Sequence, residues 1–414
     1  MTSAASFATP QRRVRVQPAA VQRDPEWAFQ WWLFGLAVGL RALIWSTISL
    51  LQLTMFDGDN IHYEYLGWGL AQVWNGTASP SEFRLAHDFN SGMYFWVGVI
   101  YWLVGARWIL LPLFVNWCVG ALNAVLIYRL GALLFTPSIG RRASVLVAVL
   151  PSWSFWTALL YKEAVVFLFT ALALYALLLI QRRMSLSGMT VIVVCVLALM
   201  QFRGYLAYLM AGTVVATLGL SSGAYARLSF GRRFTLLLLL TVLFTAVGGM
   251  GRAQQQLQSQ LNLNILERIE VSRADLAQSA ASGILSRGDV STPAGALLYL
   301  PKGMAFLLLT PAPWQFGALR QSIAIPETLL WYVMIPFTLI GMAHGLRHRR
   351  GAVFPILLFT GAQTLFYALL IGNIGTAVRE RAQMLAFWFI FAAAGWELRR
   401  GTLALDPQPV TRSV

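Results

Sequence analysis

The sequence predicts an all-α fold, a polytopic transmembrane helix bundle. Three observations predict it. Of all residues, 58% are hydrophobic and 11% charged, against about 45–50% apolar and about 25% charged in soluble domains. The apolar residues fall in a succession of long stretches. Short arginine-rich turns lie between them, the pattern expected of helices oriented across a bilayer. A soluble chain of 414 residues would divide into two or three domains; this composition removes that reading.

The formal net charge is +15. In a soluble protein such an excess would suggest nucleic acid. Here topology and contact with anionic membrane lipids account for it, and no nucleic-acid partner is expected. Lysine is nearly absent, with only Lys162 and Lys302. Arginine therefore carries the charge, as in a GC-rich bacterial genome, which points to a bacterial plasma (inner) membrane. Cys118 and Cys195 both lie inside apolar stretches, so neither a disulfide framework nor a metal site is indicated. The run Gln11-Arg12-Arg13-Val14-Arg15 precedes a full-length span without a small-residue cleavage site, and no cleavable signal is expected.

Residues 1–28 are polar, basic and Pro/Ala-rich and read as a disordered cytoplasmic tail. The first span covers 31–53. Further apolar stretches centre on 92–105, 108–135, 143–161, 164–180, 189–202, 205–220, 234–250, 296–310, 327–345, 352–371 and 382–396. A spanning helix needs about 20 apolar residues, so 92–105 and 296–310 are short, and Pro301, Pro311 and Pro313 punctuate the second. Charge arbitrates. Arg141-Arg142, Arg182-Arg183, 227–233, 347–350 and Arg399-Arg400 all fall on the cytoplasmic side only if those two segments are re-entrant or interfacial. About ten crossings then remain, or twelve if both cross.

The domain is thus 29–400, with outer loops 54–90 and 251–295, a cytoplasmic tail at 401–414, and both termini cytoplasmic. In 251–295, Leu257, Leu261, Ile265 and Ile269 recur at helical spacing and predict an amphipathic helix on the membrane or the bundle. Most acidic residues fall outside and nearly all basic clusters inside. Any chemistry should therefore sit at the outer surface.

The foremost candidate is Phe56-Asp57-Gly58-Asp59-Asn60-Ile61-His62-Tyr63, just after the first span. Two carboxylates beside an apolar wall are partly desolvated, and desolvation with mutual repulsion raises a carboxylate pKa, which suits a general base. The plainer reading is a polar cap at the headgroups. Lys162-Glu163 at a membrane corner is either a self-satisfied pair or a phosphate-holding lysine oriented by its neighbour. Arg41 lies about ten residues into the first span, where a charge usually faces a bundle interior or polar cavity. Arg203 marks a break between two spans, and Arg379 and Arg381 follow the flexible run Gly372-Asn373-Ile374-Gly375-Thr376. Arginines at fixed positions suit a lipid-linked phosphate; snorkelling toward headgroups is the alternative. No metal-ligand spacing, Walker loop or dinucleotide fingerprint appears, and the cofactor requirement stays open. A divalent ion on His62, Asp57 and Asp59 is the one combination available. His87 shares the outer loop.

The order of these features resembles the GT-C superfamily of membrane glycosyltransferases, in the style of the protein-O-mannosyltransferase and aminoarabinose-transferase branch. The features are Arg41 in the first span, Asp57/Asp59 with Tyr63 in an outer loop, and Trp102-Leu103-Val104-Gly105 ending a membrane segment. Asn116 and Asn123 in a long span, Pro151 and an acidic corner at Glu163 follow. The likeness covers 38–180. It implies a polyprenyl-phosphate sugar donor, a lipid, glycan or protein acceptor, and transfer with inversion on the outer face. By the resemblance, Asp57 or Asp59 would be the base on the acceptor hydroxyl, and Arg203, Arg379 and Arg381 would hold the lipid phosphate; the residues themselves add Arg41, His62, Tyr63, Lys162 and Glu163 as candidate substrate-binding groups. Gly58 between the two acids departs from the usual adjacent Asp-Glu pair and leaves open which aspartate corresponds. An O-antigen-type polysaccharide polymerase or ligase is the alternative, resting on Arg379-Glu380-Arg381 and the 251–295 loop. A lipid-linked sugar transporter or flippase is the third, and would call for repeats and midplane acids.

Overall fold

The computed structural model describes residues 25–53, 58–79, 81, 91–220, 265–278, 288–314 and 319–401. The expectations placed on Asp57, His87, 227–250, the first part of the predicted 251–295 helix, residues 1–24 and residues 402–414 lie outside the described residues, whereas 25–28, read as the end of a disordered tail, open the first helix. The described residues form thirteen helices: α1 (Pro25–Leu50), α2 (Asp59–Trp74), α3 (Ser91–Val104), α4 (Leu110–Leu134), α5 (Pro137–Val149), α6 (Pro151–Ala158), α7 (Glu163–Arg182), α8 (Leu186–Leu220), α9 (Ile265–Gln278), α10 (Pro293–Leu309), α11 (Leu319–His348), α12 (Arg350–Leu370) and α13 (Ile374–Arg399). The expected all-α class holds, and six of these helices are long and apolar enough to cross a membrane: α1, α4, α7, α8, α11 and α12. The 14 residues of α3 and 17 of α10 rise only about 21 and 25 Å, short of a hydrocarbon core of about 30 Å.

Two helices organise the bundle. Every residue from 380 to 395 of α13 is buried, the mark of a helix surrounded by others. It runs along α11 at a close crossing, where a Cβ on Gly341 would strike the Phe391 carbonyl and one on Gly395 the Phe337 carbonyl. Small residues let the backbones approach, the packing mode that replaces hydrophobic drive between helices in lipid. The other organiser is α4, which touches α1, α5, α6 and α7.

The stretch 143–161 is broken. Pro151 starts α6 after Leu150 leaves helical geometry, and the chain turns a corner at 159–162 before α7. Such a break strands backbone donors and acceptors. Neighbouring side chains take them up. At the start of α6, the Glu327 carboxylate accepts from the Ser152 backbone N–H and hydroxyl, each at 2.7 Å. At its end, Asn116 Nδ2 donates to the Leu159 carbonyl at 2.7 Å, Trp117 Nε1 to Ala158 at 2.7 Å, and Asn123 Nδ2 to Ala164 at 2.8 Å.

The arginine clusters gather at one end of the bundle. Arg141 Nη2 lies 2.6 Å from Glu26, Arg142 Nε 3.2 Å from Glu397, and Arg182 and Arg349 donate to the Leu133 and Leu134 carbonyls. At the other end meet the first turns of α2, α7 and α13 and the last turn of α12. In the 251–295 region, α9 spans 265–278. Its Ile269 packs against Val290, Ala296 and Tyr299, and Asn373 Nδ2 donates to the Leu276 carbonyl, which ties α9 to the α12–α13 turn.

Candidate functional site

The corner at 159–162 sets the first residue of α7, Glu163, at the end of the bundle remote from the arginine clusters. An acid there sits well in the helix dipole. Opposite it, α8 is interrupted at Arg203, whose backbone is extended (φ −153°, ψ 85°). The break predicted at Arg203 lies there, and it turns the guanidinium inward. Arg203 Nη2 donates to Glu163 Oε1 at 2.7 Å, while Nη1 donates to Glu380 Oε2 at 2.5 Å and to the Tyr367 hydroxyl at 3.1 Å. Gln383 Nε2 adds a bond to Glu380 at 3.0 Å. These groups are buried, and Arg203 is neutralised on both sides.

Arg379 lies above this buried base. Its Nε is 3.4 Å from Glu163 Oε1 and 3.9 Å from Glu380 Oε1, its Nη1 is 4.0 Å from Asp59 Oδ2, and its guanidinium carbon is 5.6 Å from the Trp156 ring centroid. Side-chain exposure rises from 4% at Arg203 through 20% at Arg379 to 59% at Asp59. The cluster thus has a dry floor and a wet mouth.

Lys162 is half-buried beside Glu163. Its ammonium is pulled down to about 8, first by burial and then by the field of Arg203. Tyr63 is buried on α2 within the fields of Asp59, Glu163, Arg203 and Arg379; burial first, and then the two carboxylates, push its hydroxyl well above the usual phenol range. The phenol therefore stays protonated and can donate. Three atoms of this cluster are buried without a hydrogen-bond partner: the Tyr63 hydroxyl, Glu163 Oε2 and Arg379 Nε. Buried polar atoms without a partner also occur elsewhere among the described residues, at Arg41, Asn123 and Trp331 for example, so they do not by themselves mark this cluster.

Of the sequence-predicted residues, the fold brings together Asp59, Tyr63, Lys162, Glu163, Arg203 and Arg379. His62 is exposed next to Tyr63, its ring edge-on to Tyr94 at 5.7 Å. Two arginines lie elsewhere. Arg381 donates to the Thr310 carbonyl at 2.6 Å, the Leu308 carbonyl at 3.2 Å and the Thr328 hydroxyl at 3.0 Å, with Glu327 at 3.9 Å. The reason is helical geometry: residues two apart lie about 200° apart around the axis, so Arg379 and Arg381 face different neighbours. Arg41 is fully buried among α1, α4 and α6, donating to Thr157 Oγ1 at 2.8 Å and the Ala37 carbonyl at 2.7 Å.

Tyr367, Gln383 and Trp156 belong to the cluster and were not singled out in the sequence, and Glu380 was noted only within the run Arg379-Glu380-Arg381. Only Glu380 had a signal, its place between two arginines on an apolar helix. Among the described residues, no three His, Cys, Asp or Glu side chains converge as a metal site. The arrangement can hold an anion between Arg379 and Lys162 while offering a carboxylate to a neighbouring hydroxyl. No protein-family model and no curated protein matches the chain.

Proposed function

We propose that the chain is a membrane glycosyltransferase that moves a sugar from a polyprenyl-phosphate donor to an acceptor hydroxyl at the outer membrane face. One observation carries the reading: Arg379 lies between Asp59 and Glu163 at the mouth of a buried ion-pair cluster formed by Arg203, Glu163 and Glu380. The arginine clusters at the opposite end support the sidedness, since such clusters favour the cytoplasmic face.

In this reading Asp59, or Asp57 two residues before it, takes the proton of the acceptor hydroxyl as its oxygen attacks the anomeric carbon. The bond from that carbon to the phosphate oxygen breaks, and the electron pair leaves with polyprenyl phosphate. Arg379 and Lys162 stabilise the charge gathering on the phosphate, and Tyr63 donates to a substrate oxygen. Arg203 is already engaged by Glu163 and Glu380 and acts by positioning them.

The test supplies membranes holding wild type, Asp57→Asn, Asp59→Asn or Arg379→Ala with radiolabelled polyprenyl-phosphate sugars and follows donor consumption. Loss with one aspartate change, at undiminished expression, supports the transferase and identifies the base. Full consumption in both aspartate variants overturns the assigned base. Should Arg379→Ala alone abolish turnover, the polymerase or ligase reading is favoured.

A further inference from the structure

At the arginine-rich end of the bundle the guanidiniums fall into two kinds. Arg141 and Arg142 have carboxylate partners in Glu26 and Glu397. Arg182 and Arg349 have none among the described residues. Each instead gives one donor to the end of α4, Arg182 Nη2 to the Leu133 carbonyl at 2.7 Å and Arg349 Nη1 to the Leu134 carbonyl at 2.9 Å. The two guanidiniums lie within electrostatic reach of each other. Beside them a cavity of about 200 Å³ opens between α4, α7 and α12. Leu133, Leu134, Leu178 and Ala352 form its apolar wall; Arg182 and Gly351 stand at its exposed rim, where Gln181 also lines it and donates its Nε2 to the Gly351 carbonyl at 3.1 Å, and Arg349 lies just outside the lining.

From this juxtaposition of two uncompensated, fixed guanidiniums with an apolar cleft, we infer that the cleft binds an anionic glycerophospholipid, the phosphate diester on Arg182 and Arg349 and an acyl chain against the leucines. The inference is independent of the transferase reading. A phosphate diester supplies the missing counter-charge, and guanidiniums match its oxygens bidentately. Bonds to the α4 carbonyls already hold both side chains, so little freedom is lost on binding. A free phosphate would leave the apolar wall unused. A zwitterionic lipid would bring its own cation against two others. Basic pockets between membrane helices are recognised docking places for anionic headgroups.

The test is native mass spectrometry of the detergent-purified full chain with phosphatidylglycerol or phosphatidylcholine of identical chains. Phosphatidylglycerol should be retained preferentially. At about fivefold per arginine, the Arg182→Gln/Arg349→Gln double variant should lose about twenty-five-fold in apparent affinity, while Arg399→Gln keeps wild-type retention. Gly351→Trp fills the cleft mouth and leaves both guanidiniums in place; it should also lose retention, and it decides the matter if the double variant elutes as aggregate. Equal retention of the two lipids by wild type overturns the inference, as does unchanged retention in Gly351→Trp. Displacement of the lipid by millimolar inorganic phosphate overturns it in favour of a soluble anion.

Discussion

Arg203 and Arg379 share the carboxylates of Glu163 and Glu380, but the structure gives them unequal work. Arg203 is 4% exposed and bonds directly to Glu163 at 2.7 Å and to Glu380. Replacing it by Met leaves two buried carboxylates facing one cation that stands 3.4 and 3.9 Å away. Removing one partner of a buried ion pair costs about 3–5 kcal/mol. Arg379 is 20% exposed with no contact to a carboxylate under 3.4 Å, and its removal leaves Glu163 and Glu380 on their direct bonds to Arg203, so no buried charge is orphaned and the cost stays near that of a weak pair, about 0–1 kcal/mol. Arg203→Met should therefore unfold more readily than Arg379→Met by at least about 2 kcal/mol, a factor of about thirty in the unfolding equilibrium. Function should rank the other way per folded molecule: Arg379→Met loses donor turnover while keeping its stability. The assay is thermal unfolding in one detergent, followed by far-UV circular dichroism, alongside turnover corrected for folded protein. Adding Glu380→Gln to Arg203→Met should recover part of the loss, since it removes one orphaned charge. Equal destabilisation by the two single changes would refute the division into a structural floor and a functional mouth.

Three further outcomes follow from the same geometry. Asn116→Leu strands the Leu159 carbonyl, bonded at 2.7 Å, and the Thr157 carbonyl at 3.3 Å; the expected loss is about 2–4 kcal/mol, read as a lower unfolding midpoint, and Asn116→Asp should not rescue it. Gly341→Leu or Gly395→Leu drives a side chain into the facing backbone and should cost about 3 kcal/mol or more, whereas Gly361→Leu, where a Cβ meets nothing within 4 Å, should be tolerated. Lys162 titrates near 8, below its unfolded value of about 10.4, so the unfolded chain holds more protons between those values and stability rises with pH across that window. Donor affinity moves oppositely, falling as pH climbs through 8 and the cation is lost, and Lys162→Arg should flatten that fall; a donor affinity constant from pH 7 to 9 would remove Lys162 from the phosphate site.

What was legible in the sequence was whatever rests on one residue's incompatibility with lipid. Arg203 and Glu163 announced themselves because a charge between two apolar stretches must have a partner or a purpose, and each proved to be the other's partner. The arginine clusters were legible for the same reason, and those within the described residues meet at one end. Long-range pairing was not legible. Nothing near 203 in the chain points to Glu380 or Tyr367, which α12 and α13 deliver from more than 160 residues away. Nor could composition reveal that Pro151 breaks the 143–161 stretch into α5 and α6, because the groups that make the break affordable, Asn116, Trp117, Asn123 and Glu327, lie on other helices. Arg379 and Arg381 carry the sharpest lesson. Taken as charges in one loop they looked equivalent; taken as residues on a helix they are about 200° apart, and that angle alone sends one to the mouth of the cluster and the other to the carbonyls of Leu308 and Thr310. Wherever a short charged run opens a helix, periodicity should therefore be applied before function is shared among its members.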